Sequence, residues 1–141
     1  MASQVSRPGW LLAVSIVLLL WGLVGGLACF MQVVMGSVPG AAPEDLALVR
    51  AMPLWFNLVY CVATLAAIVG AVALLLRSRH AVLWFGISAA AVVIQFGYVF
   101  LATDTLARKG AGAAGFPLFI LIVALLEIWL AIHATRRGWL R

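Results

Sequence analysis

Glu127 stands in "LLEIWLAIH" (125–133), inside a long apolar run with no other charge. An acidic side chain at the middle of a membrane helix costs about 2.5–3.5 kcal/mol, so protonation or a partner must lower that cost. No Lys or Arg lies inside any of the long apolar runs, which leaves only neutral partners. The run at 81–102 offers Trp84, Ser88, Gln95 and Tyr98 close to one helical face. The run at 54–76 offers Asn57, Tyr60, Cys61 and Thr64, and the first run offers Ser15, Cys29 and Gln32. At 1.5 Å per residue, Gln95 falls ~5 Å and Tyr98 ~10 Å outside the midplane, with Tyr60 at ~8 Å and Asn57 at ~12 Å. Most of these polar groups share the outer half, with Glu127 near its floor. Two readings follow. In one, Glu127 is the acid or proton site of an outward-facing polar pocket in which Gln95, Tyr98, Asn57 and Tyr60 orient a small neutral or cationic solute. In the other, the same groups clasp helices together, at roughly 0.6 kcal/mol per hydrogen bond.

Other chemistry has little support in the residues. Cys29 and Cys61 lie in separate apolar runs and form no CxxC. They read as small packing residues, with a disulfide as the alternative. His80 falls in a loop, and His133 falls near the end of the last run, off the Glu127 face; neither reads as a metal ligand. "GAGAAG" at 110–115 matches a dinucleotide fingerprint as text, but no strand precedes it, so it reads as a flexible linker. No phosphate-binding loop, HExxH or GxSxG is present. No cofactor, no metal and no enzymatic activity are expected.

These residues must be positioned by membrane-spanning helices. Of 141 residues, 67% are hydrophobic and 9% are charged, against about 25% charged in a soluble domain. Lipid must therefore serve as solvent. The apolar runs at about 10–35, 54–76, 81–102 and 117–135 are each near or above the ~20 residues a crossing needs. "GLAC" at 26–29 resembles a lipoprotein cleavage box, but its run is longer than a signal peptide's apolar core and reads as a retained helix.

The net charge of +5 is not gathered on one face, which argues against nucleic acid as a partner. Instead the basic residues mark topology. Arg7, Arg77, Arg79, Arg136, Arg137 and Arg141 flank one side of the membrane without an acid among them. Arg50, Arg108 and Lys109 flank the other, balanced by Glu44, Asp45 and Asp104. Six against three puts both termini in the cytoplasm. Trp10, Trp84 and Trp139 would anchor the inner interface and Trp55 the outer one. "PEDLALVRAM" (43–52) reads as a short interfacial helix in the first periplasmic loop, with Pro43, Glu44 and Asp45 suited to its first turn.

Small residues recur at helical spacing: Gly22 and Gly26; Ala63, Ala66, Gly70 and Ala73; Gly86, Ala90 and Gly97. Such stripes allow close helix packing within one chain or in a homo-oligomer. The expected fold is thus an all-α membrane protein, a single four-transmembrane-helix bundle spanning 1–141, in a bacterial inner membrane.

"PLWFNLVY", "GAVALLLRSRHAV", "VIQFGYVFLATD" and "FPLFILIVALLEIWLAIHATRRGWLR" cover the second helix onward. Together they resemble a group of small bacterial four-helix membrane proteins often labelled "sugar transporter". The group has no established function; the resemblance implies the four-helix fold, its label is compatible with a sugar-like solute, and it carries no catalytic residues. Four helices alone seldom enclose a transport path, so transport would imply an oligomer. The competing expectation is a structural or accessory subunit of a membrane complex with no solute site of its own.

Overall fold

The computed structural model describes residues 5–141. Four long helices form the body: α1 (Gly9–Val33), α3 (Leu54–Leu75), α4 (Ala81–Ala102) and α6 (Gly115–Arg136). All four are long and apolar enough to cross a membrane. Two short helices, α2 (Pro43–Ala51) and α5 (Thr105–Lys109), occupy the longer connections, and no strand occurs among the described residues. The expected runs match the long helices to within about two residues, the usual uncertainty of helix ends.

Contacts run in the order α1–α3–α4–α6, with α4 between α3 and α6 and α1 on the far flank of α3. One end of the bundle carries the α3–α4 turn, the start of α1 and the end of α6. We call it the terminal end. The other carries α2 and α5, and we call it the linker end.

On α3 the packed face is mostly small side chains and the outward face large ones. Ala63, Ala66, Gly70, Ala71 and Ala73 are buried on α3, while Leu58, Val62, Leu65, Val69 and Val72 point outward. This pattern suits a bundle in lipid, where close backbone approach rather than apolar burial drives association. Gly22 and Gly26 of α1 face Ile68 of α3; a Cβ on either would lie 3.1 Å from that side chain. The GxxxG thus serves packing within the chain. Gly70 lies against the Phe85 ring of α4, 2.7 Å from where its Cβ would be. The third stripe differs from expectation. No atom lies within 4 Å of a Cβ built on Gly86 or Gly97, and Ala90 is exposed. The buried small residues of α4 are Ala81, Ser88, Ala89 and Ala91 instead.

The terminal end is filled and tied. A core cluster holds Leu11, Leu74, Phe85, Leu130, Ala131 and Ala134. Trp10 and Trp139 meet edge to face at 5.7 Å. Both α3 and α6 end with a left-handed residue and the paired backbone bonds that close such ends. At α6 that residue is Gly138, with Trp139 N–H donating to Ala134 O at 3.0 Å. At α3 it is Arg77, at φ 62°, with Ser78 N–H donating to Ala73 O at 2.7 Å. Arg77 also donates to the carbonyls of Trp139 and Val5, both at 3.0 Å. Arg7 donates to Leu75 O at 2.9 Å. These arginines therefore tie chain segments together.

The linker end is more ordered than expected. Residues 105–109 are helical, and 111–114, within "GAGAAG", form a 3₁₀ turn that runs into α6. Gly110, at φ 71°, makes the break between them. Helix α2 begins at Pro43 with Glu44 and Asp45 in its first turn. Lys109 Nζ reaches Asp45 Oδ1 at 2.5 Å, joining the two linkers.

Candidate functional site

A cavity of about 390 Å³ opens in the linker-side half of the bundle. Each long helix contributes a matching stretch to its wall: Trp21 to Gln32 on α1, Phe56 to Ala67 on α3, Ser88 to Val99 on α4 and Phe116 to Glu127 on α6. Each stretch is three turns, about 17 Å of helix. Leu48, Val49, Met52 and Thr105 close its linker side, and the core cluster fills the bundle toward the terminal end. The volume falls in the range of small-molecule pockets, which are typically mostly apolar with a few polar groups. Here Trp21, Phe56, Phe96 and Phe116 supply the largest apolar surfaces.

Glu127 lies at the deep end of this wall. It is only 3% exposed, and its Oε1 is buried without a hydrogen-bond partner. Helix geometry explains the burial. Glu127 shares the packed face of α6 with Ala124, Leu130, Ala131 and Ala134, residues three, four or seven positions away. Among the described residues the only salt bridge is Lys109–Asp45, at the linker end. A clasp requires that carboxyl oxygen to be satisfied from within the chain, and Oε1 is not.

Gln95 and Tyr60 line the same cavity as Glu127. Gln95 is buried, and Tyr60 is half-buried. Other polar wall residues are already engaged. Ser88 donates to Ala63 O at 2.8 Å, and Thr64 donates to Tyr60 O and Cys61 O at 3.2 and 3.1 Å. The polar side-chain groups of the wall with no hydrogen bond to the chain are few: those of Glu127, Gln95, Tyr60 and Gln32, and the Trp21 indole N–H.

Two of the five expected site residues are placed elsewhere. Tyr98 packs on Trp55 and Phe56 at ring distances of 4.8 and 5.7 Å. It lines a second, outer pocket of about 560 Å³ with Glu44, Asp45, Asp104, Arg108 and Lys109. The Lys109 ammonium, hydrogen-bonded to Asp45, holds that carboxyl below its ordinary range. Asn57 lines neither pocket, and its Oδ1 is buried without a partner. In exchange, Trp21 was not expected at the site; it lines the cavity and meets Phe119 of α6 edge to face at 5.6 Å. An aromatic residue within an apolar run gives no sequence signal for such a role.

His133 stacks on Trp129 at 5.2 Å and meets Trp139 at 5.7 Å, away from the cavity. Among the described residues no three His, Cys, Asp or Glu side chains gather closely enough to hold a metal ion. Cys29 and Cys61, in separate runs of the sequence, bring their sulfurs to 3.4 Å, and both are free thiols.

No protein-family model, curated protein or solved structure matches this chain. Its function must therefore be argued from the cavity itself.

Proposed function

We propose that this multi-pass membrane protein binds a small solute in the cavity between its four long helices, with the Glu127 carboxyl as the group that recognises it. One observation carries this reading: a nearly fully buried carboxyl, with an unpartnered oxygen, in the wall of a cavity of ligand size. Intramembrane ionisable residues are functional candidates by default, because nothing else offsets their cost. The few free polar groups and the aromatic wall favour a solute with an apolar body and one hydrogen-bonding or cationic head. A sugar, with hydroxyls on every side, would find fewer partners than it needs. This narrows the sugar-like solute with which the family label is compatible. We place the protein in a bacterial inner membrane with both termini cytoplasmic, on the strength of the arginine distribution. The cavity then faces the periplasmic side. Binding rather than catalysis is the role proposed, and transport would need an oligomer.

The test is a thermal-shift screen of the purified protein in lipid nanodiscs, against sugars, aliphatic and aromatic amines, and amphipathic alcohols. A hit from the amines or alcohols should bind Glu127→Gln at least about tenfold more weakly, as expected for losing a hydrogen bond to a charged or strongly polar group. Unchanged affinity in that variant would remove Glu127 from the site.

A second reading has its own observation. The outward stripe of Gly86, Ala90 and Gly97 on α4 is unpacked within the chain, and such stripes suit contact with another membrane helix. An accessory subunit would use it. Stoichiometric co-purification of one membrane partner, lost in Ala90→Leu, would favour that role.

A further inference from the structure

Cys29 and Cys61 are the only cysteines in the chain, and their Sγ atoms are 3.4 Å apart across the α1–α3 interface. The interface that joins them is fixed by close packing. Gly22 and Gly26 let α1 approach Ile68 of α3, and Gly25 faces the Thr64 methyl. The thiols therefore meet as a consequence of helix register, without a flexible loop. Bond formation needs the sulfurs to close by about 1.4 Å, to a disulfide length near 2.05 Å. Neither cysteine lines the cavity, but their neighbours Ala28, Tyr60 and Thr64 do. The pair thus stands directly behind the cavity wall.

We propose that Cys29 and Cys61 form a reversible intramolecular disulfide that pins α1 to α3 beside the cavity. The oxidant is a disulfide, acting by thiol–disulfide exchange. Cys61 is half-buried, whereas Cys29 is 5% exposed, so Cys61 is the thiol that an oxidant entering the bilayer meets first. Its thiolate attacks the external disulfide, a mixed disulfide forms, and one external thiolate leaves with the proton that Cys61 gave up. Cys29 then attacks Cys61 Sγ, the new Sγ–Sγ bond closes, and the second external thiolate leaves with the Cys29 proton. Two cysteine thiols are oxidised, and one external disulfide is reduced to two thiols. In the closed form the α1–α3 separation is fixed at the cavity wall; in the open form only packing holds it.

The test exposes purified protein in lipid nanodiscs to dithiodipyridine, an uncharged disulfide that enters lipid, followed by denaturing alkylation and intact mass. The wild type should lose both alkylatable thiols and the mass of two hydrogens, remain monomeric on a non-reducing gel, and melt at higher temperature than after dithiothreitol. Cys29→Ser should instead trap a thiopyridyl group on Cys61, and Cys61→Ser should react far more slowly. Two free thiols after oxidation, a persistent thiopyridyl adduct on the wild type, or disulfide-linked dimers would each overturn the proposal. The wild-type mass measurement decides the matter even if a variant fails to fold.

Discussion

At the scale of single residues, the demands of close packing and of the cavity fall on different side chains. Gly70 answers to packing. The nearest atom of Phe85 is 2.7 Å from where a Cβ on Gly70 would sit, and Phe85 is fully buried with no room to turn aside. Gly70→Ala should therefore lower stability by about 1–3 kcal/mol, the usual cost of overpacking, read as a lower melting temperature. Gly97→Ala, with open space around it, should melt like the wild type and serves as the control. Equal melting of the two variants would contradict the α3–α4 packing described. Glu127, by contrast, lines the cavity. Its type alone made it conspicuous in the sequence, since a carboxyl in an apolar run has to be explained. Gln95 and Tyr60, likewise polar residues in apolar runs, line the same cavity. Tyr98, expected beside them, stands one turn beyond Gln95 on α4. That is enough to carry its ring to Trp55 and the outer pocket. Which way a polar group turns at the rim depends on its aromatic neighbours, and periodicity does not record them.

At the scale of elements, the four long helices were legible because an apolar run of such length has few alternatives in lipid. Their ends were less so. The basic turn after α3 read only as a topological signal, yet Arg77 adopts φ 62°, a conformation costing a non-glycine residue about 1–2 kcal/mol. Its guanidinium compensates by holding the chain near both termini, through Trp139 O and Val5 O. Two substitutions separate these effects. Arg77→Ala loses the side-chain bonds and keeps the strained backbone, so it should be destabilised by about 1–2 kcal/mol. Arg77→Gly loses the same bonds but relieves the strain, so it should melt above Arg77→Ala and nearer the wild type. If Arg77→Gly melts at or below Arg77→Ala, the left-handed cap is not under strain. The linkers at the other end were also under-read. Glycine and alanine in "GAGAAG" suggested flexibility, but a short helix and a 3₁₀ turn satisfy the backbone there, and Lys109 ties it to α2.

At the scale of the whole molecule, the two halves of the bundle differ in kind. The terminal half is closed by a packed core and by arginine ties. The linker half holds a cavity with Glu127 in its wall. The sequence foretold a polar outer half and an aliphatic inner half. It did not foretell that the wall would be mostly aromatic and aliphatic, because apolar runs do not record which of their side chains border a gap between helices. The proposed function has Glu127 serving the cavity's occupant and not the fold. The most direct measurement is the melting temperature of Glu127→Leu against wild type in nanodiscs at neutral pH, without added solute. A buried carboxyl that lacks a partner costs stability, and replacing it with an apolar side chain of similar size should be neutral or stabilising. We predict that Glu127→Leu melts at the same temperature as the wild type or higher. A clearly lower melting temperature would mean that the carboxyl holds the helices together, and would contradict this account.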